Sequence, residues 1–177
     1  YVVRDPRNVI TSLMNHFSMN IEDAYKFIID VNRNIKKANS NDYRTWVLLS
    51  SWSQHYKSWC KSKNFRKLIV KYEDFENNKY ETFRDIIVFT NTLLNKTERV
   101  DRKKLDRAIE TTNFNVLKNK EEKEGFDEAA FDKSNKKKTF FNMGFGNNWR
   151  NLLKEDIRVK IEGELSKEMK ELGYLDQ

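Results

Sequence analysis

The first twelve residues, Tyr1-Val-Val-Arg4-Asp-Pro-Arg-Asn-Val-Ile-Thr-Ser12, decide the fold. The run before Arg4 is apolar and β-branched, which predicts a short buried strand that ends at this arginine. Asp5-Pro6 follows at once and predicts a helix start, because aspartate caps free amide groups and proline at the first helical position lacks an amide that would have no partner. Apolar residues then recur at three- and four-residue steps as far as Phe17. The stretch therefore predicts a strand that leads directly into a helix of about three turns.

A second buried strand is predicted at Lys67–Tyr72, where Leu-Ile-Val stands between two lysines. The residues between the two strands predict further helices, one that begins near Asn20 and one from about Asp42 to Lys63. Two strands separated by helices pair in parallel, since a parallel return needs a long crossover. The sequence therefore predicts an α/β fold with parallel strands that is mostly helical.

The second half of the chain predicts more helices and one irregular segment. Helical spacing of apolar residues covers 80–94, 101–111, 113–122 and 154–172, with Gly173 as the expected stop. Residues 125–148 hold three of the five glycines and a lysine-rich run but no clear period, which is typical of a functional loop. No linker or internal repeat interrupts the sequence, so residues 1–177 are predicted to form a single domain.

Composition excludes several classes of protein. The chain has 177 residues, 38% of them hydrophobic, which argues against intrinsic disorder, and its five glycines and one proline argue against an all-β barrel or sandwich. No stretch reaches the roughly 18 apolar residues of a membrane span. The single cysteine, Cys60, cannot form an intramolecular disulfide, which favours a reducing, cytoplasmic location. His16 and His55 have no partner at metal-ligand spacing, so no metal centre is expected.

Arg4 and Ser12 are the first candidates for a functional site. Open α/β sheets bind ligands outside the carboxyl ends of their strands, where Arg4 is expected to lie. A guanidinium offers a planar fork of donors that suits a phosphate, and the Ser12 hydroxyl supplies another donor. The alternative is a strand–helix turn in which Arg4 pairs with an acidic side chain.

The same twelve residues, followed by His16-Phe17, closely resemble the 3′-phosphate-binding segment of the sulfotransferases that use 3′-phosphoadenosine 5′-phosphosulfate (PAPS). In that family an arginine at the strand end and a serine eight positions later grip the 3′-phosphate, and the resemblance implies this role for Arg4 and Ser12. It also implies the three-layer fold of the family, which is like that of the P-loop NTPases. The two histidines match positions that are structural in the family.

Other landmarks of the family follow in the same order. Trp52-Ser-Gln-His-Tyr-Lys-Ser-Trp59 resembles its Trp-x-x-His-x-x-x-Trp helix, and Lys67–Asp74 resembles the next strand with its terminal Tyr-Glu-Asp. Thr111-Thr-Asn-Phe114 resembles the Thr-Ser-Phe that packs around the adenine. The resemblance implies that Tyr72, Thr112 and Phe114 contact the adenine side of the cofactor.

The segment Phe140-Phe-Asn-Met-Gly-Phe-Gly-Asn-Asn-Trp-Arg-Asn151 resembles the family's Phe-x-Arg-Lys-Gly-x-x-Gly-Asp-Trp-Lys-Asn loop. It implies that Asn142, Met143 and Gly144 contact the cofactor and that residues 125–148 form a loop that covers it. Here Asn142-Met143 replaces the Arg-Lys pair that clamps the 3′-phosphate, and asparagines replace the second glycine and the aspartate. The sequence leaves open whether Lys136–Lys138 or Arg150 restores the lost charge, because a lysine run is also typical of a solvated loop.

The resemblance implies sulfuryl transfer from PAPS to a hydroxyl or amine of a small molecule, lipid or carbohydrate, with adenosine 3′,5′-bisphosphate (PAP) as the product. The family's sulfuryl-contacting loop and its catalytic histidine have no counterpart in residues 1–177, and the chain begins within a predicted strand. We therefore expect an N-terminally truncated piece of a sulfotransferase domain that is inactive alone.

Two other functions remain open at this point. A nucleotide-dependent phosphotransferase of related P-loop topology would also place a ligand at the strand ends. A basic nucleic-acid-binding module is suggested by 34 Lys+Arg against 27 Asp+Glu, a net charge of +7. The cations alternate with acids along the predicted helices, as in Lys118–Glu124, so we expect no nucleic-acid partner.

Overall fold

In a computed structural model of the chain, residues 1–35, 46–127, 131, 134 and 136–176 are described. They divide into two compact units. The first unit contains Tyr1–Arg4 and Arg66–Gly146, and the second contains Asp5–Phe65 and Asn147–Gln177. Neither unit is a continuous piece of chain.

The regular elements are named in chain order. They are β1 Val2–Val3, α1 Pro6–Phe17, α2 Ile21–Ile29, β2 Asn34–Ile35, β3 Val47–Leu48, α3 Trp52–Lys61, β4 Val70–Lys71, α4 Asp74–Asn77, α5 Lys79–Leu93, α6 Arg102–Thr111, α7 Phe114–Glu124, α8 Trp149–Leu152, α9 Glu155–Glu164 and α10 Ser166–Glu171, with a 3₁₀ turn at Gly144–Gly146.

The first unit is built on the parallel pair of β1 and β4. Val2 pairs with Val70 and Val3 with Lys71. The Tyr72 amide donates to the Val3 carbonyl at 2.7 Å, which continues the pairing to the carboxyl end of both strands. The predicted parallel topology is confirmed, although β4 is shorter than the predicted strand at Lys67–Tyr72. Val3 and Val70 are buried, so the pair supplies part of the apolar interior of this unit.

The second unit has a core of helices α1, α2, α9 and α10. The buried side chains come from one face of each helix, and they are Ile10, Ala24, Phe27, Ile28, Ile157, Ile161, Leu165 and Met169. The faces predicted from helical spacing are thus the faces that pack. Burial of such side chains contributes about 1.5–3 kcal/mol each relative to exposure.

The predicted helix starts are confirmed by their caps. The Asp5 carboxylate accepts from the Arg7 amide at 2.9 Å, with Pro6 as the first helical residue. Asn20 caps α2 through the Asp23 amide, and Asp101 caps α6 through the Lys104 amide. Each cap satisfies one of the four amides that a helix start leaves without an intrahelical partner.

The prediction of one helix from about Asp42 to Lys63 is wrong for the described residues before Trp52. Val47–Leu48 instead pairs antiparallel with Asn34–Ile35. Ser50 has a φ of 61°, which a continuing helix does not allow, and the Ser51 side chain then caps α3 by accepting from the Gln54 amide. Residues 42–45 lie outside the described residues.

The predicted helix at 154–172 is two helices. The chain breaks at Leu165, which has a φ of −107° and a ψ of 14° and separates α9 from α10. The side chain of Leu165 is buried in the core. Gly173 has a φ of 68°, as its predicted role as the stop requires.

Glu168 on α10 gives the second unit a pH-dependent contact with α3. Its carboxylate is 3% exposed and lies 2.6 Å from the Lys57 ammonium. Burial opposes ionisation of Glu168, but hydrogen bonds from Lys57 and Ser53 hold its pKa below the ordinary value. A carboxylate with a lowered folded-state pKa stabilises the protein above its unfolded pKa, and that stability is lost as the pH falls through the folded pKa.

We expect Glu168→Gln to destabilise the protein by about 1–3 kcal/mol at pH 7 and to weaken the loss of stability between pH 5 and pH 3, because the titrating partner of Lys57 is gone. Urea unfolding at several pH values measures this difference. Glu164→Gln, at an exposed position of α9, is the control and should keep the acid sensitivity of the unaltered chain. Equal acid sensitivity in both variants would contradict the role of Glu168.

Candidate functional site

Arg4 and Tyr72 lie side by side at the carboxyl ends of the two parallel strands. Arg4 follows β1 directly and Tyr72 follows β4. The Arg4 guanidinium carbon lies 4.2 Å from the centroid of the Tyr72 ring, which is a cation–π contact. The parallel register explains this, since the Val3–Lys71 pair places the next residue of each strand at the same edge. Two predicted cofactor residues are thus together in the first unit, and their side chains offer a cation and an aromatic ring.

Phe145 extends this arrangement, although sequence reasoning did not select it. The ring of Phe145, in the turn Gly144–Gly146, lies 5.8 Å from the Tyr72 ring at an angle of 46°. The Lys79 ammonium, at the start of α5, lies 5.9 Å from the Phe145 centroid. A second cation, on α5, therefore lies near the aromatic pair. The loop that contains Phe145 resembles a family motif but lacks that motif's Arg-Lys pair.

Gly144 packs against the Phe114 ring at the start of α7. A Cβ built on Gly144 would lie 2.7 Å from two atoms of that ring and 2.9 Å from a third. The φ of Gly144 is 53°, which glycine adopts without strain. Phe114 also meets Phe141 edge-on at 6.3 Å. The structure thus brings two more predicted site residues into contact, and the Gly144–Gly146 turn packs on the Phe114 ring.

Glu121 of α7 fixes the chain just before this turn. One carboxylate oxygen accepts from the Phe140 amide at 2.7 Å and the other accepts from the Phe141 amide at 2.8 Å. Phe126 packs on both rings, with centroids 4.6 Å and 5.4 Å away. Sequence reasoning missed Glu121, because its partners lie 19 and 20 residues further along and no local pattern links them.

The other predicted residues of the first unit make local contacts. The Thr112 hydroxyl donates to the Ala108 carbonyl at 2.7 Å, inside its own helix. The Asn142 backbone amide donates to the Phe140 carbonyl at 2.9 Å. The Gly146 backbone amide donates to the Met143 carbonyl, also at 2.9 Å. The side chains of Asn142 and Met143 are exposed. These contacts shape the backbone and leave the two side chains at the surface.

Ser12 belongs to the second unit, where it lies on α1 in contact with Asn147. The Asn147 amide group donates to the Ser12 hydroxyl oxygen at 2.8 Å. The same side chain contacts Asn8 and Thr11 on the same helix. Asn147 replaces a glycine of the family motif, and nothing local in the sequence indicates that its side chain turns back to α1.

Arg7 and Trp149 lie next to this group in the second unit. The Arg7 guanidinium carbon is 3.9 Å from the Trp149 ring centroid, and that of Arg150 is 4.5 Å away. The Trp149 amide donates to the Asn8 side-chain oxygen at 2.8 Å. Arg150, for which the sequence left open a role in replacing the missing cations, thus lies over an indole.

Within the described part of the chain, no three His, Cys, Asp or Glu side chains are grouped in a way that would hold a metal ion. No helix there has the length and apolar character to cross a membrane. His16 contacts the neighbouring Phe17 ring edge-on at 4.6 Å.

Two solved structures share the fold. Mouse sulfotransferase SULT7A1 complexed with PAP is 16% identical, with a TM-score of 0.63, and the match covers 96% of this chain and 56% of that one. Retinol dehydratase in complex with androsterone and inactive cofactor PAP is 20% identical, with a TM-score of 0.64, and the match covers 96% and 46%. The chain thus spans about half the length of the structures it matches. No curated protein matches the sequence.

The sequence also matches a family model. The model of the sulfotransferase domain aligns with residues 1–173, almost the whole chain, and the shared fold confirms the predicted α/β architecture. The chain belongs to the sulfotransferase domain family.

Proposed function

We propose that the protein containing this chain transfers a sulfuryl group from PAPS to a hydroxyl or amine acceptor. The acceptor class is a small molecule, a lipid or a carbohydrate. One observation carries the proposal, namely the Arg4–Tyr72 pair at the carboxyl ends of the parallel strands. A guanidinium beside an aromatic ring supplies a bidentate phosphate donor and a surface on which a base can pack.

Each predicted residue has a role in this proposal. Arg4 and Ser12 hold the 3′-phosphate, and Tyr72, Thr112 and Phe114 flank the adenine. Asn142, Met143 and Gly144 present backbone and side-chain groups from the loop that covers the nucleotide. The Lys79 ammonium lies 5.9 Å from the centroid of the Phe145 ring in that loop, so we assign it part of the charge that Asn142-Met143 lacks.

PAPS supplies the activated sulfuryl group, and the residues of this chain bind and orient the nucleotide that carries it. Orientation is a large part of such a reaction, because holding two reactants in line removes much of the entropy loss of their encounter. We assign the general base and the sulfuryl-contacting loop to residues that this chain does not contain. The 177-residue chain alone is therefore expected to show no turnover, and a radiolabelled sulfate-transfer assay tests this.

We also propose that residues 1–177 belong to a single domain and that the protein is cytoplasmic.

Arg4→Ala tests the proposed site directly. We expect it to weaken PAP binding by about 2–3 kcal/mol, because it removes a charge-assisted hydrogen-bond donor from the phosphate. Titration calorimetry with PAP measures the change. Arg107→Ala, at an exposed position of α6, changes the net charge equally and should leave the affinity unaltered.

One outcome would overturn the assignment of Arg4, and another would overturn the proposed function. Equal PAP affinity for Arg4→Ala and the unaltered protein would remove Arg4 from the site. No measurable PAP binding by the unaltered protein would overturn the proposed function itself.

A further inference from the structure

Asn147 is a buried polar side chain, 7% exposed, near the end of the segment 125–148, and it joins that end of the segment to α1. Its amide nitrogen lies 3.0 Å from the Asn8 carbonyl oxygen and 2.8 Å from the Ser12 hydroxyl oxygen. Its amide oxygen lies 2.5 Å from the Thr11 hydroxyl. The side chain therefore spans one full turn of the helix that carries Ser12.

The orientation of this amide is determined by its neighbours. The Asn8 carbonyl can only accept, so the NH₂ group of Asn147 must face it. The second proton of that NH₂ group then points to Ser12, and the hydroxyl oxygen of Ser12 accepts it. The opposite side of the amide accepts from Thr11. All polar atoms of the Asn147 side chain are thus used, as a buried amide requires.

We propose that Asn147 is a positioning residue that fixes the Ser12 side chain for the 3′-phosphate. A serine on a helix has several accessible rotamers, and a hydrogen bond to its oxygen selects one of them. Because the oxygen is the acceptor in this bond, Asn147 fixes the position of that oxygen without using the hydroxyl proton. The inference rests on the proposed function, since it assigns how one of its residues is held.

The backbone next to Asn147 strengthens the argument. The Trp149 amide donates to the Asn8 side chain, so Asn8, Thr11 and Ser12 are all held by residues 147–149. Asn148, by contrast, uses its side-chain oxygen to accept from the Arg150 amide and caps α8. Two adjacent asparagines therefore have different roles, which provides a matched control.

The experiment compares PAP with adenosine 5′-phosphate, which lacks the 3′-phosphate. We expect Asn147→Ala to weaken PAP binding about tenfold, the usual effect of losing one well-placed hydrogen bond, and to change binding of adenosine 5′-phosphate less than about twofold. Asn148→Ala should leave the preference for PAP unchanged. Thermal unfolding of each variant separates a loss of fold from a loss of preference, and Asn147→Leu replaces Asn147→Ala if the latter does not fold.

A double-mutant cycle tests whether Asn147 acts through Ser12. In a Ser12→Ala background, Asn147→Ala should reduce PAP affinity by less than about twofold further, because the group it positions is gone. The same loss in both backgrounds, or an equal loss for both nucleotides, would overturn the inference while leaving the proposed function intact. If the unaltered protein does not distinguish the two nucleotides, both proposals are overturned.

Discussion

Gly144→Ala is expected to detach the Gly144–Gly146 turn from the Phe114 ring. The added methyl would lie 2.7 Å from the ring, and the φ of 53° is a left-handed conformation that alanine disfavours. Overpacking of this kind costs about 1–3 kcal/mol and the left-handed backbone about 1–2 kcal/mol, so we expect about 2–5 kcal/mol in total. Phe114 has little room to move aside, because Phe141 packs against it.

Amide hydrogen exchange at Phe140 and Phe141 measures this effect locally. Both amides are protected by the Glu121 carboxylate while the segment is in place. A loss of about 2–5 kcal/mol corresponds to exchange that is about 30- to 5,000-fold faster. If the proposed function is right, PAP affinity should fall with the same substitution, since Gly144 and the two residues before it are the three predicted cofactor contacts of this segment.

Gly146→Ala is the matched control for this prediction. Gly146 has no atom within 4 Å of its built Cβ. In the Gly146→Ala variant we expect the Phe140 and Phe141 amides to exchange within about threefold of their rates in the unaltered chain, as for a surface substitution. Phe114→Leu in the Gly144→Ala background should restore part of the protection by making room. Equal exchange in the two glycine variants would contradict the contact between the turn and Phe114.

Arg7→Ala is expected to cause the largest loss of stability in the second unit, about 3–5 kcal/mol, because it leaves the buried Asp5 carboxylate without its cationic partner. The Arg7 side chain is 6% exposed and contacts Asp5 at 2.7 Å and Glu162 at 2.6 Å. Burial lowers the pKa of an arginine, but the hydrogen bonds from Arg7 to Asp5 and Glu162 outweigh it and raise the pKa. A donor bond to the Tyr174 carbonyl at 2.9 Å adds a link to the C-terminal residues.

Urea unfolding followed by tryptophan fluorescence measures this loss, because Trp46, Trp52, Trp59 and Trp149 all belong to the second unit. Arg150→Ala is the control, since Arg150 also lies over the Trp149 ring but is exposed. We expect it to cost at most about 1 kcal/mol. Arg7→Lys keeps the charge without the planar fork and should fall between the two. A loss for Arg7→Ala no greater than that for Arg150→Ala would contradict the importance of the buried ion pairs.

The sequence predicts well those features that depend on nearby residues. Asp5, Asn20 and Asp101 mark helix starts because a cap and its amide partner lie two or three positions apart. It fails at Val47–Leu48, where the partner strand is Asn34–Ile35, and register between distant segments leaves no local signal. It also misses the break at Leu165, because the apolar spacing continues across this residue as in an uninterrupted helix.

Some contacts of the candidate site can likewise be predicted from the sequence, and others cannot. The Arg4–Tyr72 pair follows from two strand ends, since parallel strands bring their carboxyl ends to one edge. The contacts of Glu121 and Asn147 do not follow, because each depends on a fold that joins residues far apart in the sequence. Asn147 is visible in the sequence only as a departure from the family motif, and its partners become clear only in three dimensions.

Each of the two units consists of two separate segments of the chain, and this affects how the protein folds. Residues 66–146 of the first unit are flanked on both sides by segments of the second, while Tyr1–Arg4 joins the first unit from the other end of the chain. Assembly of the second unit from Asp5–Phe65 and Asn147–Gln177 turns the intervening segment into a closed loop and so reduces its unfolded-state entropy. The ordering of α1, α2 and α9 therefore lowers the entropic barrier to forming the β1–β4 pair. The two units should for this reason unfold in one coupled transition, and neither can be excised as an uninterrupted fragment.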